Sequence, residues 1–252
     1  MSVYREGYIW GSEGAQYIGT TTSPGHLTKR FPLGTRMVFD DGREFRYARA
    51  GATALVAGNL YQSPVPGANF DTLAVAVAAA LGDTSVEITN GATTIAASDF
   101  DEAYMVTENT GGVGRAYKIS SHDVESAGSA QFTVNLASPD GIREALTTSS
   151  KVTLIKNPYD DVIIHDSPPT AIVVGVAVED TPIAYYGWLQ TKGVAAVLIE
   201  GTVVIGKRVQ PSATTDGAVM PSTSGGDDEL TVGKCIEVAP TTDYGAIDLD
   251  IA

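Results

Sequence analysis

The stretch from Ala184 to Pro221 limits the chain more than any other, because its apolar residues come in short runs and no window keeps a helical period for ten residues. The runs are Tyr185–Leu189, Val194–Ile199 and Val203–Ile205, and Gly193, Gly201 and Gly206 punctuate them. Branched and aromatic side chains pack well on a pleated surface, and glycine releases the turns, so three short strands are expected. The runs are nearly continuous instead of alternating, which predicts strands covered on both faces. This stretch is the expected centre of the core.

The rest of the chain has the same texture. Thr35–Phe39 and Arg43–Ala48 flank Asp40-Asp41-Gly42, and Asp-Gly between alternating runs is a strong hairpin signal. Met37, Phe39, Phe45 and Tyr47 alternate with charged positions, so one hairpin face is expected to be buried and the other to meet water or a partner. Ser63-Pro64-Val65-Pro66-Gly67 and Ser167-Pro168-Pro169 break the pattern and bracket an expected insert. Within it, Ser85–Thr89, Ala103–Val106, Ala116–Ser120, Gln131–Leu136, Val152–Lys156 and Val162–His165 read as strands. Ala74–Leu81 reads as strand and turn, with a helix as the alternative, because Asp71 and Gly82 are placed to cap one. Ile142–Leu146 is the one short helix expected. Ile172–Val178, Thr231–Val238 and Ala246–Ile251 are later strands, and the loops Gln210–Asp216 and Pro221–Glu229 should be exposed. The expected fold is all-β. A β-barrel or sandwich domain takes residues 1–66 and 167–252, and a second, inserted β-domain takes residues 67–166.

Charge narrows the partners. Sixteen Lys and Arg stand against 30 Asp and Glu, and a net charge of −14 repels phosphate backbones, so no nucleic acid is expected. Arg36, Arg43, Arg46 and Arg49 alternate with apolar residues and are expected to form one face of a hairpin or to face an acidic neighbour. The lone Cys235 excludes an internal disulfide and a cysteine zinc site. Without a basic-then-apolar leader or a run of eighteen apolar residues, no signal peptide or membrane span is expected, and the protein should fold in the cytoplasm where it is made.

No pattern supports catalysis or a cofactor. Gly201 to Lys207 opens like a phosphate loop, but Arg208 stands where Ser or Thr must reach magnesium, and the residues between are apolar. His26, His122 and His165 lie far apart, and His165-Asp166-Ser167 holds the residue types of a triad without its geometry. Asp40-Asp41, Asp160-Asp161 and Asp227-Asp228-Glu229 sit among turn residues, where solvated charge is the default. Residues 1–32 carry Tyr4, Tyr8, Trp10, Tyr17 and Phe31 but few aliphatic side chains. Two readings stay open for them: a loop packed on its own domain, or an extended arm whose aromatics anchor on a neighbour.

The run Y-G-W-L-Q-T-K-G-V-A-A-V-L from Tyr186 to Leu198, followed by a glycine turn, a second valine run and P-S-A-T-T-D-G, resembles small capsid decoration (cement) proteins of tailed bacteriophages. The resemblance covers about Gly175 to Ala252, with weaker echoes in Leu33–Gln62 and Lys151–Asp166. It implies a virion structural protein, not an enzyme, that binds the capsid exterior as a trimer and reinforces the shell. The implied partners are the major capsid protein and further copies of this chain. Tyr4, Tyr8, Trp10, Tyr17, Phe31, Arg36, Arg43 and Arg46 are the contacts expected on that reading. A tail or head-fibre or baseplate component is the alternative, followed by a β-fold polysaccharide-degrading enzyme.

Overall fold

Asp40-Asp41-Gly42 turns the chain back on itself in the computed structural model, with Gly42 at φ +87° and Phe39 N–H bonded to the Arg43 carbonyl at 2.9 Å. Glycine adopts this left-handed backbone without a Cβ penalty, which is why it ends the turn. The strands Arg36–Val38 and Glu44–Arg49 pair across it. The structure describes residues 3–5, 8–20, 23–126, 128, 130–222 and 230–251. The fold is all-β; a three-residue turn of 3-10 helix, Ala68–Phe70, is the sole helical element among the described residues.

The chain forms two compact units: Met1–Val65 with Pro158–Ala252, and Pro66–Asn157. The split unit carries a twelve-stranded sheet. Its main path runs Val3–Arg5, Tyr8–Trp10, Arg36–Val38, Glu44–Arg49, Tyr186–Leu198, Tyr244–Asp250, Gly233–Glu237, Arg208–Pro211 and Val219–Pro221. Leu60–Gln62, Ile163–Ile164 and Val173–Ala177 pair beside this path. Tyr186–Leu198 is its axis. The first half pairs with Glu44–Arg49 and the second with Tyr244–Asp250, and Lys192 lies opposite both Glu44 and Asp250.

Gly193 does not end that strand, so two of the expected strands are one strand of thirteen residues. The glycine sits at φ +80° just after a register shift between Gln190 and Lys192, and a Cβ there would lie 2.9 Å from Arg43 Cγ. A bulge bends a strand without ending it. Gly187 to Thr191 are buried throughout, but from Lys192 the strand alternates and Val194 is 56% exposed. The expectation of two covered faces therefore holds for half the strand. Val203–Ile205 is not a strand. Val203 is buried while Val204 and Ile205 are exposed, and a turn closes from Lys207 N–H to the Val204 carbonyl at 3.0 Å.

Three apolar clusters fill the split unit. Trp188 packs with Ile9, Met37, Phe39, Phe45 and Tyr47; Leu189 with Ala48, Tyr61 and Val174; Val197 with Val209, Cys235 and Ile247. Burial pushes the Cys235 thiol up from its ordinary value. Two further expectations are corrected here. Residues 158–166 belong to this unit and not to the insert. Asp160 is 4% exposed, and a carboxylate so buried needs a partner; Arg49 supplies one at 2.6 Å while also reaching Asp161 at 2.8 Å. Ile163–Ile164 then pairs with Tyr61 and Gln62. The loop after Gln210 is not wholly exposed either, since Ser212 is fully buried and its hydroxyl donates to Glu200. The loop Pro221–Glu229 lies mostly outside the described residues.

The inserted unit is a six-stranded antiparallel sheet ordered Leu73–Ala74, Lys151–Ile155, Tyr104–Asn109, Arg115–His122, Gln131–Leu136 and Ser85–Thr89. Its first and last members meet through a Val75–Ile88 bridge and an Ala76 N–H bond to the Glu87 carbonyl at 2.8 Å, so the sheet closes on itself. Alternate residues point inward, among them Ile88, Met105, Ile119, Phe132, Val134 and Val152. Ala74–Leu81 is not helical: Ala74 ends a strand, Ala76 and Val77 form a bend, and Ala79 bridges Leu146. Ile142–Leu146 is not helical. Ile142 N–H bonds the Asp83 carbonyl at 2.9 Å and Leu146 N–H bonds the Ala79 carbonyl at 2.9 Å, so donors that a helix would use within itself are satisfied across the chain.

Candidate functional site

Register brings four of the eight expected contact residues onto one face of the split unit. Tyr8 lies opposite Arg36, Trp10 opposite Val38, and Arg36 opposite Arg46, while Ile9, Met37 and Phe45 point to the core. Side chains alternate faces along a strand, so Tyr8, Trp10, Arg36, Arg46 and Glu44 share the outward side.

The face is held by short-range geometry. The Trp10 ring meets the Tyr8 ring edge-on, with centroids 5.6 Å apart at 65°. The Arg36 guanidinium stands 5.8 Å from the Tyr8 ring centroid and grips Glu44 with two bonds, Nε to Oε2 at 2.8 Å and a terminal nitrogen to Oε1 at 2.5 Å. That fork of parallel donors holds the Glu44 carboxyl below its usual range, against the pull of partial burial. Arg46 donates to the Gly34 carbonyl at 3.0 Å. Trp10 remains 39% exposed, so a rigid aromatic is presented on a preorganised frame.

Arg43 sits at the hairpin turn. It bonds Asp41 at 2.7 Å, reaches Glu13, and lies 4.9 Å from the Phe39 ring centroid. Hydrogen bonding from Arg43 lowers both carboxyl pKa values; for Asp41 the backbone N–H of Arg43 is the larger influence.

The remaining expected contacts lie elsewhere. Phe31 turns inward, with centroids 5.3 Å from Tyr47 and 5.7 Å from Trp188. Tyr17 is 56% exposed beside Ala57 and Glu179. Tyr4 pairs through its backbone with Ile9, and its side chain is outside the described residues. The described part of residues 8–32 is therefore woven into its own unit and not held out as an arm. Ile9 is 2% exposed, Ile18 N–H donates to Glu179 at 2.8 Å, and His26 bridges Tyr186. The aliphatic contribution of the segment is small, but the backbone N–H groups of Gly11, Ile18 and His26 are bonded to other parts of that unit. Glu44 and Val38 are the members of the face that composition alone did not single out. The hairpin register, with its tight Asp-Gly turn, was the signal for them.

The other chemical candidates resolve into structural roles. His165 is fully buried, accepting from Gly217 N–H at 2.7 Å and facing the Ser212 carbonyl at 3.2 Å. Ser167 donates to Asp216 at 2.6 Å and not to His165. Among the described residues no group of three or more His, Cys, Asp or Glu side chains is placed to hold a metal ion. Nor is any described helix long and apolar enough to cross a membrane. No family model, curated protein or solved structure matches the chain.

Proposed function

We propose that the protein is a capsid decoration protein that binds the outer surface of an assembled tailed-phage shell and stabilises it as a trimer. The observation that carries this reading is the Tyr8–Trp10–Arg36 face. Aromatic residues and arginine are the side chains most often found at binding hot spots, because they order a large contact area at little entropic cost. Here they lie on a strand framework and not on a loop, with Arg36 already fixed by Glu44. Aromatic and arginine side chains standing together on a sheet suit a protein surface more than a small substrate. The sequence resemblance around Tyr186–Leu198 supports the same reading from the strand at the centre of the sheet. A protein that binds only the assembled lattice stabilises that lattice in proportion to its affinity and concentration.

Cosedimentation with expanded shells, assembled from the major capsid protein of the same source, tests this. Wild-type protein should pellet with the shells and raise their disassembly temperature. Trp10→Ala should weaken binding about tenfold or more, the loss of roughly 1.4 kcal/mol expected for an aromatic anchor. If the folded wild-type protein stays in the supernatant at every shell concentration, the reading fails.

A further inference from the structure

A concave surface of the split unit, apart from the Tyr8–Trp10–Arg36 face, is built by the N-terminal segment against the start of the central strand. Gly19–Thr20 pairs with Ser23–Pro24, and His26 bridges Tyr186, which seats this short hairpin beside Tyr185. A hollow of about 740 Å³ opens there, with Tyr17, His26, Arg30 and Tyr185 in its lining. A second hollow of about 580 Å³ adjoins it, shares Tyr17, Ile18 and Gly19, and reaches Glu179 and Asp180. Both volumes lie in the range of small-molecule sites. Tyr17, common to the two, is 56% exposed.

The backbone here is already occupied. Tyr17 N–H bonds the Gly14 carbonyl at 3.2 Å, Ile18 N–H bonds Glu179 at 2.8 Å, and Gly25 N–H bonds the Ile18 carbonyl at 2.6 Å. His26 and Tyr186 bond each other through N–H and carbonyl in both directions. A peptide adding itself as a strand finds no free donor on these residues, so recognition falls to side chains. The two tyrosines supply rings whose faces are apolar and whose hydroxyls donate or accept. Arg30 is exposed and makes no ion pair among the described residues. Burial and the nearby Arg30 charge push the His26 imidazole below its ordinary value, so at neutral pH it offers one donor and one acceptor. No carboxylate is among the described residues lining this hollow. The carboxylates stand in the adjoining one, where Asp180 is exposed and only its Oδ1 is taken, by Ala57 N–H at 2.9 Å.

We infer that the paired hollows bind an acidic saccharide, with a sugar ring stacked on Tyr17, its carboxylate on Arg30 and hydroxyls of the adjoining ring on Asp180. The C–H face of a sugar ring is the apolar counterpart of a tyrosine face, and a guanidinium grips a carboxylate with two parallel bonds. An ionised Asp accepts from hydroxyls, which a saccharide has in excess. Cation and carboxylate on opposite sides of Tyr17 therefore suit a ligand that is acidic at one point and hydroxylated along its length. The net charge of −14 repels a dense polyanion such as nucleic acid, whereas one unpaired arginine is enough for one sugar carboxylate.

Calorimetric titration of the full chain tests this, with tetragalacturonate, a hyaluronan tetrasaccharide and sialyllactose as acidic probes. At least one should bind with a Kd in the micromolar to millimolar range, and neutral maltotetraose should bind about tenfold more weakly. Arg30→Gln should remove that preference. Tyr17→Ala should weaken binding about tenfold or more, and Tyr17→Phe, which keeps the ring, should retain most of it. Both side chains are exposed, so the melting midpoints of these variants should match the wild type. Failure of all three acidic probes to bind at millimolar concentration overturns the inference. So does equal binding of tetraglutamate or adenosine monophosphate, or a folded Tyr17→Ala protein that binds as the wild type does. Shell binding is tested on a different residue, Trp10, and neither result bears on the other.

Discussion

The ring of Phe31 meets the ring of Tyr47 edge-on, with centroids 5.3 Å apart and planes at 90°. Phe31 thereby fastens the N-terminal segment to the strand Glu44–Arg49, and the Tyr47 hydroxyl accepts a bond from Arg30 N–H at 3.2 Å. A segment with few aliphatic residues is thus part of the core. Phe31→Ala is expected to cost about 2 kcal/mol, less than a fully enclosed phenylalanine because Phe31 is half-buried. Deleting residues 1–32 removes Ile9 as well and should abolish cooperative unfolding of the split unit. A truncated protein that melts like the full chain would show that the segment is dispensable.

Trp188 is 2% exposed, tilted against Phe31 and edge-on to Tyr47 at 5.1 Å. Trp188→Ala should cost roughly 3–5 kcal/mol through lost burial and the cavity left behind. Urea unfolding of the two proteins measures the difference, and a loss below about 1 kcal/mol would contradict the packing described.

His165 gives the split unit an acid-sensitive joint. Its Nδ1 accepts from Gly217 N–H, so its neutral form carries the proton on Nε2, toward the Ser212 carbonyl. Burial pushes the imidazole below its ordinary 6.5, while the Ser212 carbonyl and the Asp216 and Asp166 carboxylates pull the other way. Below about pH 6.5 the unfolded chain takes up a proton that the folded chain resists, so stability is full above that pH and falls beneath it. The melting midpoint should therefore drop between about pH 7.5 and 5.5, and His165→Gln should flatten the slope. His26 shifts in the same direction, so the difference between wild type and variant is the measure. An unchanged slope in the variant would assign the dependence elsewhere.

In the inserted unit, Gly141 adopts φ +61°, and a Cβ there would fall 2.2 Å from the Asp83 carbonyl oxygen and 2.3 Å from that of Gly82. Backbone cannot yield as a flexible side chain would. Gly141→Ala should cost about 2 kcal/mol or more, while Gly114→Ala, left-handed but in open space, should cost only the conformational penalty of about 1 kcal/mol. Comparing their melts separates collision from backbone preference.

Strand texture was legible where local chemistry decides it. Gln131–Leu136 and Ser85–Thr89 alternate cleanly, and both are strands with those bounds. The Asp-Gly turn specified the hairpin, and its register placed Arg36 against Arg46 and two residue pairs from Glu44. Legibility failed where partners distant in sequence decide. Ile142 and Leu146 have helical spacing, but Asp83 and Ala79 take their donors. Arg49 lies 111 residues from Asp160, so nothing local could show that residues 158–166 are tied to the hairpin. Gly193 looked like a stop because a bulge and a turn ask the same thing of a glycine.

The strand through which the chain begins the insert, Leu73–Ala74, is hydrogen-bonded to the strand through which it leaves, Lys151–Ile155, with Leu73 facing Val152 and Ala74 facing Lys151. The two ends of this barrel therefore emerge side by side. In genetic terms residues 66–157 form a cassette: a few flexible residues can span the gap when it is excised, and another domain with adjacent termini can be spliced in its place.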